Sequence, residues 1–203
     1  MPSDGWAAAL LEGGLDRFSS LAVGPGLGRD SGAVQQIRRV LTGASLPTVV
    51  DGDGLSALGA SVAEVLAGRH PDPGPVVLTP HDGEFATLTG SPPPPDRFAA
   101  VRSLAADVGA VVLLKGPTTL VADPTGTVLA VTSGDARLAT AGTGDVLTGV
   151  VAAFLAAGLS APRAAAAAAH LHGRAGALAW PRGLVASDLV ALLPVVLSEL
   201  QEA

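Results

Sequence analysis

The stretch GAVVLLKGPTTLVADPTGTVLAVTS, residues 109–133, decides the fold. Its first half is a short apolar run that stops at Lys115 and Gly116. An apolar run of this length, bounded by turn residues, reads as a strand buried on both faces. Its second half holds two β-like runs around Asp123-Pro124-Thr125-Gly126. Proline presets φ and glycine supplies positive φ, so this segment predicts a hairpin of antiparallel strands at a sheet edge. Together the halves predict a mainly parallel sheet with an antiparallel margin.

The same pattern repeats toward the N-terminus. SSLAVGPGL (19–27), LPTVVDGDGL (46–55) and GPVVLTPHDGE (74–84) are apolar runs that end in Gly, Pro or Asp. Helical patterns over 30–43, 54–67, 82–89 and 96–108 separate them. Strand-helix alternation implies an α/β sandwich, with a parallel sheet covered on both faces. The last third predicts helices over 144–157, 161–179 and 186–201, divided by Gly158 with Pro162 and by Pro181-Arg182-Gly183. SPPPPD at 91–96 is a stiff surface loop, too short for a domain linker. No repeat or domain boundary interrupts residues 1–203, so one domain is expected.

Composition narrows the function. Apolar residues make up 48% of the 203, enough for a substantial core. The net charge of −6 argues against nucleic acid and anionic membrane as partners, because both call for basic patches. The absence of cysteine removes disulfides and thiolate zinc sites. No apolar run reaches the roughly 20 residues of a membrane span, and the N-terminus lacks the basic region of a secretion signal. A cytoplasmic protein is expected. Lys115 is the only lysine, against eleven arginines.

In a sheet of this kind ligands bind beyond the carboxyl ends of the strands. Polar residues collect at those ends. Gly24-Pro25-Gly26-Leu27-Gly28 brings backbone close to a neighbour, and serves either a ligand or a tight turn. Asp51 and Asp53 could hold hydrated magnesium or meet a polar substrate, while Asp53 alone could cap the next helix. His81 and Glu84 lie about one turn apart. They could share a pocket with hydrated magnesium, or Glu84 could join Thr79 or Asp82 in a cap. Lys115, Gly116, Pro117, Thr118 and Thr119 suit a phosphate tail, or form a plain surface turn; they are not a Walker A loop. In LATAGTGDVLTG (138–149), Gly142, Thr143 and Gly144 open a helix whose N-terminus suits an anion. Asp145 there is either a base or a helix cap. His170 and His172 point to different helix faces, which favours packing or hydrogen bonding over shared zinc. Ala164–Ala169 reads as a close-packing helix surface.

Taken in order, GPGLG, VVDGDGL, LTPHDGEFATLTG, VVLLKGPTTLVAD and LATAGTGDVLTG resemble the ADP/ATP-dependent NAD(P)H-hydrate dehydratase family of the ribokinase-like superfamily. The resemblance runs from about Phe18 to about Leu197, and HLHGRAGALA fits the family's late helix. It implies a ribokinase-like three-layer sandwich and a lyase that repairs cofactors. In that reaction the S epimer of hydrated NADH or NADPH is phosphorylated by ADP or ATP with Mg2+, then loses phosphate to regenerate NAD(P)H. Carried over, Asp145 is the base and contacts the hydrate with Gly26 and His81. Lys115, Gly116, Pro117, Thr118, Thr119, Gly142, Thr143 and Gly144 contact the nucleotide, and Glu84 organises magnesium through water. The family commonly forms tetramers, which implies a homo-oligomer.

The front of the chain departs from the family. Members begin with an additional strand and helices, whereas this chain reaches GPGLG by residue 24. The expectation is an N-terminally shortened domain, lacking at least one βαβ unit of about 30 residues. A sheet edge and apolar surface should then lie uncovered. No epimerase activity is expected. Two other readings share these motifs: a small-molecule kinase of the same superfamily, and a non-catalytic fold that binds nucleotide or a partner.

Overall fold

Neighbouring strand residues enter opposite cores, because side chains alternate across a sheet. In the computed structural model, which describes residues 5–201, Val50, Leu78, Val112 and Leu114 face one apolar core. Val49, Val77, Val111 and Leu113 face the other. Burial of each such Leu or Val side chain contributes about 1.5–3 kcal/mol, so both faces of the sheet must be covered.

The strands are β1 (Leu21–Val23), β2 (Thr48–Val50), β3 (Val76–Leu78), β4 (Val111–Leu114), β5 (Thr119–Ala122) and β6 (Val128–Val131). Among the described residues they form one sheet in the order of the sequence. β1 to β4 pair in parallel, and β5 and β6 are antiparallel. The hairpin therefore lies at the margin, as expected. Its turn is built locally: Asp123 Oδ1 accepts from the Thr125 and Thr127 N–H groups, and Gly126 takes φ +99°. At the opposite margin β1 ends the sheet with Ala22 exposed.

One layer holds α1 (Trp6–Glu12), α2 (Ser31–Gly43), α3 (Asp53–Leu58), α4 (Val62–Ala67), α5 (Asp82–Thr89) and α6 (Arg97–Val108). The other holds α7 (Thr143–Ala156), α8 (Ala161–Leu178) and α9 (Ala186–Gln201). The predicted helices are all present. Two differences follow from local chemistry. The helix expected over 54–67 is divided at Gly59, which takes φ +52° after α3 and opens a 3-10 turn. A helix not read from sequence, α1, packs its buried Ala7 against α2, where Gln36 Oε1 accepts the Ala7 N–H at 3.1 Å.

The alanine run behaves as expected. Ala164, Ala165 and Ala168 are wholly buried, and their small side chains let α8 lie close to α7 and the sheet. Farther along α8, a Cβ on Gly173 would overlap the Ser133 carbonyl, and one on Gly176 would come within 2.7 Å of Leu138. The segment 133–138 thus rests in a glycine groove on α8.

Candidate active site

Backbone hydrogen bonds continue past the strand ends. Asp51 N–H donates to Val23 O at 3.1 Å, Thr79 N–H to Val50 O at 3.1 Å, and Lys115 N–H to Pro80 O at 2.8 Å. The motif loops are thereby set side by side on one rim. The first two interlock. A Cβ on Gly24 would overlap the Asp51 carbonyl, and one on Gly54 would approach Val23 O at 2.7 Å.

Asp53 corrects its expected role. It does not cap its own helix. Its carboxylate accepts from Gly28 N–H at 3.0 Å and from Arg29 Nε at 2.6 Å, so it ties the glycine loop to the second rim loop. The hydrogen bond from Arg29 holds the Asp53 carboxyl below its ordinary range.

The cap of α5 is built from His81, not from Thr79 or Asp82. His81 Nδ1 accepts from the N–H groups of Gly83 at 3.0 Å and Glu84 at 3.2 Å. Glu84 Oε2 accepts the His81 N–H at 2.9 Å. This reciprocal arrangement satisfies otherwise orphaned donors, and His81 Nε2 stands 3.6 Å from the same Glu84 oxygen. Lys115 Nζ stands 3.5 Å from the same Glu84 oxygen and 2.8 Å from Asp51 Oδ1.

α7 enters the rim without a side-chain cap. Gly142 takes φ +85° at the turn. The Thr143 N–H goes to Thr140 O, and the first helical bond runs from Val146 to Gly142. Among the described residues this leaves the Gly144 and Asp145 N–H groups free, where the helix dipole favours an anion. Thr143 is held from below. Its hydroxyl lies 2.6 Å from Leu138 O, and its carbonyl lies 2.9 Å from Nε2 of His172, a buried residue of α8.

Burial, aided by the nearby Lys115 charge, holds the His172 imidazole below its ordinary range, and the bond to Thr143 opposes this. An unfolded chain binds this proton near pH 6.5 while the folded chain resists it. His172 therefore contributes stability above that pH that is lost as the pH falls below it. Melting temperatures followed from about pH 7.5 to 5.5 should fall less steeply for His172→Gln than for the unaltered chain.

These parts enclose a cavity of about 810 Å3. His81, Lys115, Gly116, Pro117, Thr119, Thr143 and Gly144, all expected at the site, line it. Gly26, Glu84, Thr118, Gly142 and Asp145 do not. Gly26 is exposed at the tip of the glycine loop with φ +71°. Asp145 is exposed on the first turn of α7.

Sequence reasoning missed two parts. Residues 133–136, ahead of the LATAGTGDVLTG stretch, form part of the cavity wall, and Arg137 beside them draws the Asp135 carboxyl down to about 2. Arg97, at the start of α6, donates to Asp82 Oδ1 at 2.7 Å and Lys115 O at 3.0 Å, joining two rim loops. Neither carries a local motif. Among the described residues no helix is long and apolar enough to cross a membrane.

A bifunctional NAD(P)H-hydrate repair enzyme of Moorella thermoacetica is 44% identical over 195 residues, covering 93% of this chain and 36% of that protein. The chain thus spans about a third of the length of the curated relatives it matches. An ADP/ATP-dependent NAD(P)H-hydrate dehydratase of Bacillus subtilis, co-crystallized with ATP/Mg2+, superposes with a TM-score of 0.80 at 31% identity, covering 97% of this chain and 72% of that one. A ribokinase-like superfamily protein of Enterococcus faecalis does so at 0.74 and 27%, over 94% of this chain and 67% of that one. A sequence model of the NAD(P)H-hydrate dehydratases matches residues 7–194, spanning every rim loop from the glycine turn to the end of α8, and the chain belongs to that family.

Proposed function

We propose that this chain dehydrates the S epimer of hydrated NADH or NADPH, consuming ADP or ATP and releasing NAD(P)H, phosphate and the shortened nucleotide. The observation that carries the reading is the meeting of Lys115 and the uncapped Gly144 turn at the mouth of one cavity. An ammonium beside free helix N–H groups is an anion site. Phosphoryl transfer asks mainly for positioning and charge stabilisation.

In this reading the loops 115–119 and 142–144 hold the nucleotide, and Gly26 and His81 meet the hydrate. Asp145 takes the proton from the hydrate's hydroxyl as that oxygen attacks the terminal phosphoryl group. The bond to the leaving nucleotide oxygen breaks. The ring C–O bond of the resulting phosphate ester then breaks, phosphate departs with the bonding electron pair, the adjacent ring carbon gives up a proton to solvent, and the C=C double bond returns. Magnesium fits a single carboxylate here: among the described residues the contacts given for Glu84 run to Oε2, so Oε1 would meet a hydrated cation, which would neutralise phosphate charge.

The test supplies the purified chain with S-NADPH hydrate, Mg2+ and either nucleotide, and follows the absorbance band of reduced nicotinamide. Nucleotide-dependent recovery is expected. No recovery with either nucleotide, or accumulation of a stable phosphorylated product, would replace this reading with a binding fold or a kinase.

A further inference from the structure

Asp51 has no part in the mechanism above, yet among the described residues it is the one buried carboxylate, at 3% exposure. Its two oxygens are divided between elements far apart in sequence. Oδ1 accepts from Lys115 Nζ at 2.8 Å, at the end of β4. Oδ2 accepts from the Thr148 hydroxyl at 2.9 Å, in α7. Thr148 stands one turn beyond Gly144. The Cβ position of Gly144 is 3.6 Å from Asp51 Oδ2 and 3.7 Å from Lys115 Nζ, so lysine, carboxylate and helix start converge within one small volume.

A buried ion pair is a weak source of stability, since apolar replacements of similar volume often serve as well. Its geometric effect is larger. Lysine carries its charge on a flexible stem with three donors. One donor is fixed on Asp51. Glu84 Oε2, at 3.5 Å, is too far for a good N–H···O bond. Donor capacity therefore remains toward the cavity that Lys115 lines. The second carboxylate oxygen locks the same assembly to α7 through Thr148.

We infer that Asp51 is a positioning residue that fixes the Lys115 ammonium beside the first turn of α7, so that a transferring phosphoryl group meets the lysine and the helix N–H groups together. The inference rests on the phosphoryl-transfer reading above. Asp51 acts through Lys115 and does not touch substrate.

The experiment compares the full chain with Asp51→Asn, Lys115→Met and the double variant, measuring kcat and KM in the hydrate assay. Asp51→Asn should lower kcat about tenfold or more with the KM for hydrate little changed, and the double variant should lie within about threefold of Lys115→Met alone. A merely structural Asp51 would make the two losses multiply. That result, or an Asp51→Asn variant within about twofold of the parent, overturns the inference. Should Asp51→Asn not fold, Thr148→Val takes its place in the same cycle, with a smaller loss that disappears in the Lys115→Met background. An inactive parent would overturn the repair reading by itself, and Asp51 is then judged by binding. Because Lys115 is the only lysine, lysine labelled with 13C and 15N gives one side-chain resonance. Titration with ADP and Mg2+ should shift it in the parent and leave it nearly still in Asp51→Asn. Equal shifts in both proteins, or none in the parent, overturn the inference.

Discussion

Asp145→Asn is expected to lower turnover about 10²–10⁴-fold, the usual contribution of a general base, while ADP affinity stays near that of the parent. The substitution keeps side-chain shape and every backbone N–H group of the first turn of α7. What it removes is the proton acceptor. Gly144 lines the cavity and Asp145, one residue later, does not. Successive helix residues differ in direction by about 100°. In the proposed reading this offset separates the group that meets the nucleotide from the group that meets the hydroxyl. Single-turnover assays with S-NADPH hydrate and calorimetry with ADP check the two halves. Retention of most activity would remove the base from Asp145. A parallel collapse of ADP affinity would show that the carboxylate shapes the anion site instead.

Gly24→Ala is expected to cost about 3 kcal/mol or more of stability, through backbone strain combined with a rigid collision. Gly24 holds φ at +134°, and an added Cβ would overlap the Asp51 carbonyl and lie 2.7 Å from Gly54 N. Those neighbours are backbone atoms and cannot rotate away. Relief would require the first rim loop to lift off the second, breaking the bond from Asp51 N–H to Val23 O. Gly26 is the control. It also has positive φ, at +71°, but nothing lies within 4 Å of its Cβ position. Gly26→Ala should cost only the conformational penalty of about 1–2 kcal/mol. Urea unfolding of both variants separates the causes. Equal losses at the two positions would mean that close approach to Asp51 is not what requires glycine at 24.

Much of the architecture is a property of near neighbours, and was legible for that reason. VVLL stops at Lys115-Gly116 within a few residues, and the hairpin turn is closed by Asp123 bonding residues two and four positions ahead. Asp30 and Asp96 cap α2 and α6 by reaching three residues on. Such signals survive in any stretch of chain long enough to contain them. The short α1 lacked them, because its buried face is decided by Gln36 of another helix.

The site divides along the same line. Sequence alone determined which residue types collect at the strand ends, and hence that glycine backbone, acids, a histidine and the single lysine would share one rim. Only the tertiary structure decided their pairings. Asp53 became the partner of Gly28 and Arg29 rather than a helix cap. Asp51 met Lys115 across 64 positions and Thr148 across 97, and His172 met the Thr143 carbonyl. A local pattern specifies the direction and length of a strand or helix. Which distant side chains then come within hydrogen-bonding distance depends on sheet register and on where α7 and α8 cross the sheet, and these are settled by packing of the whole chain.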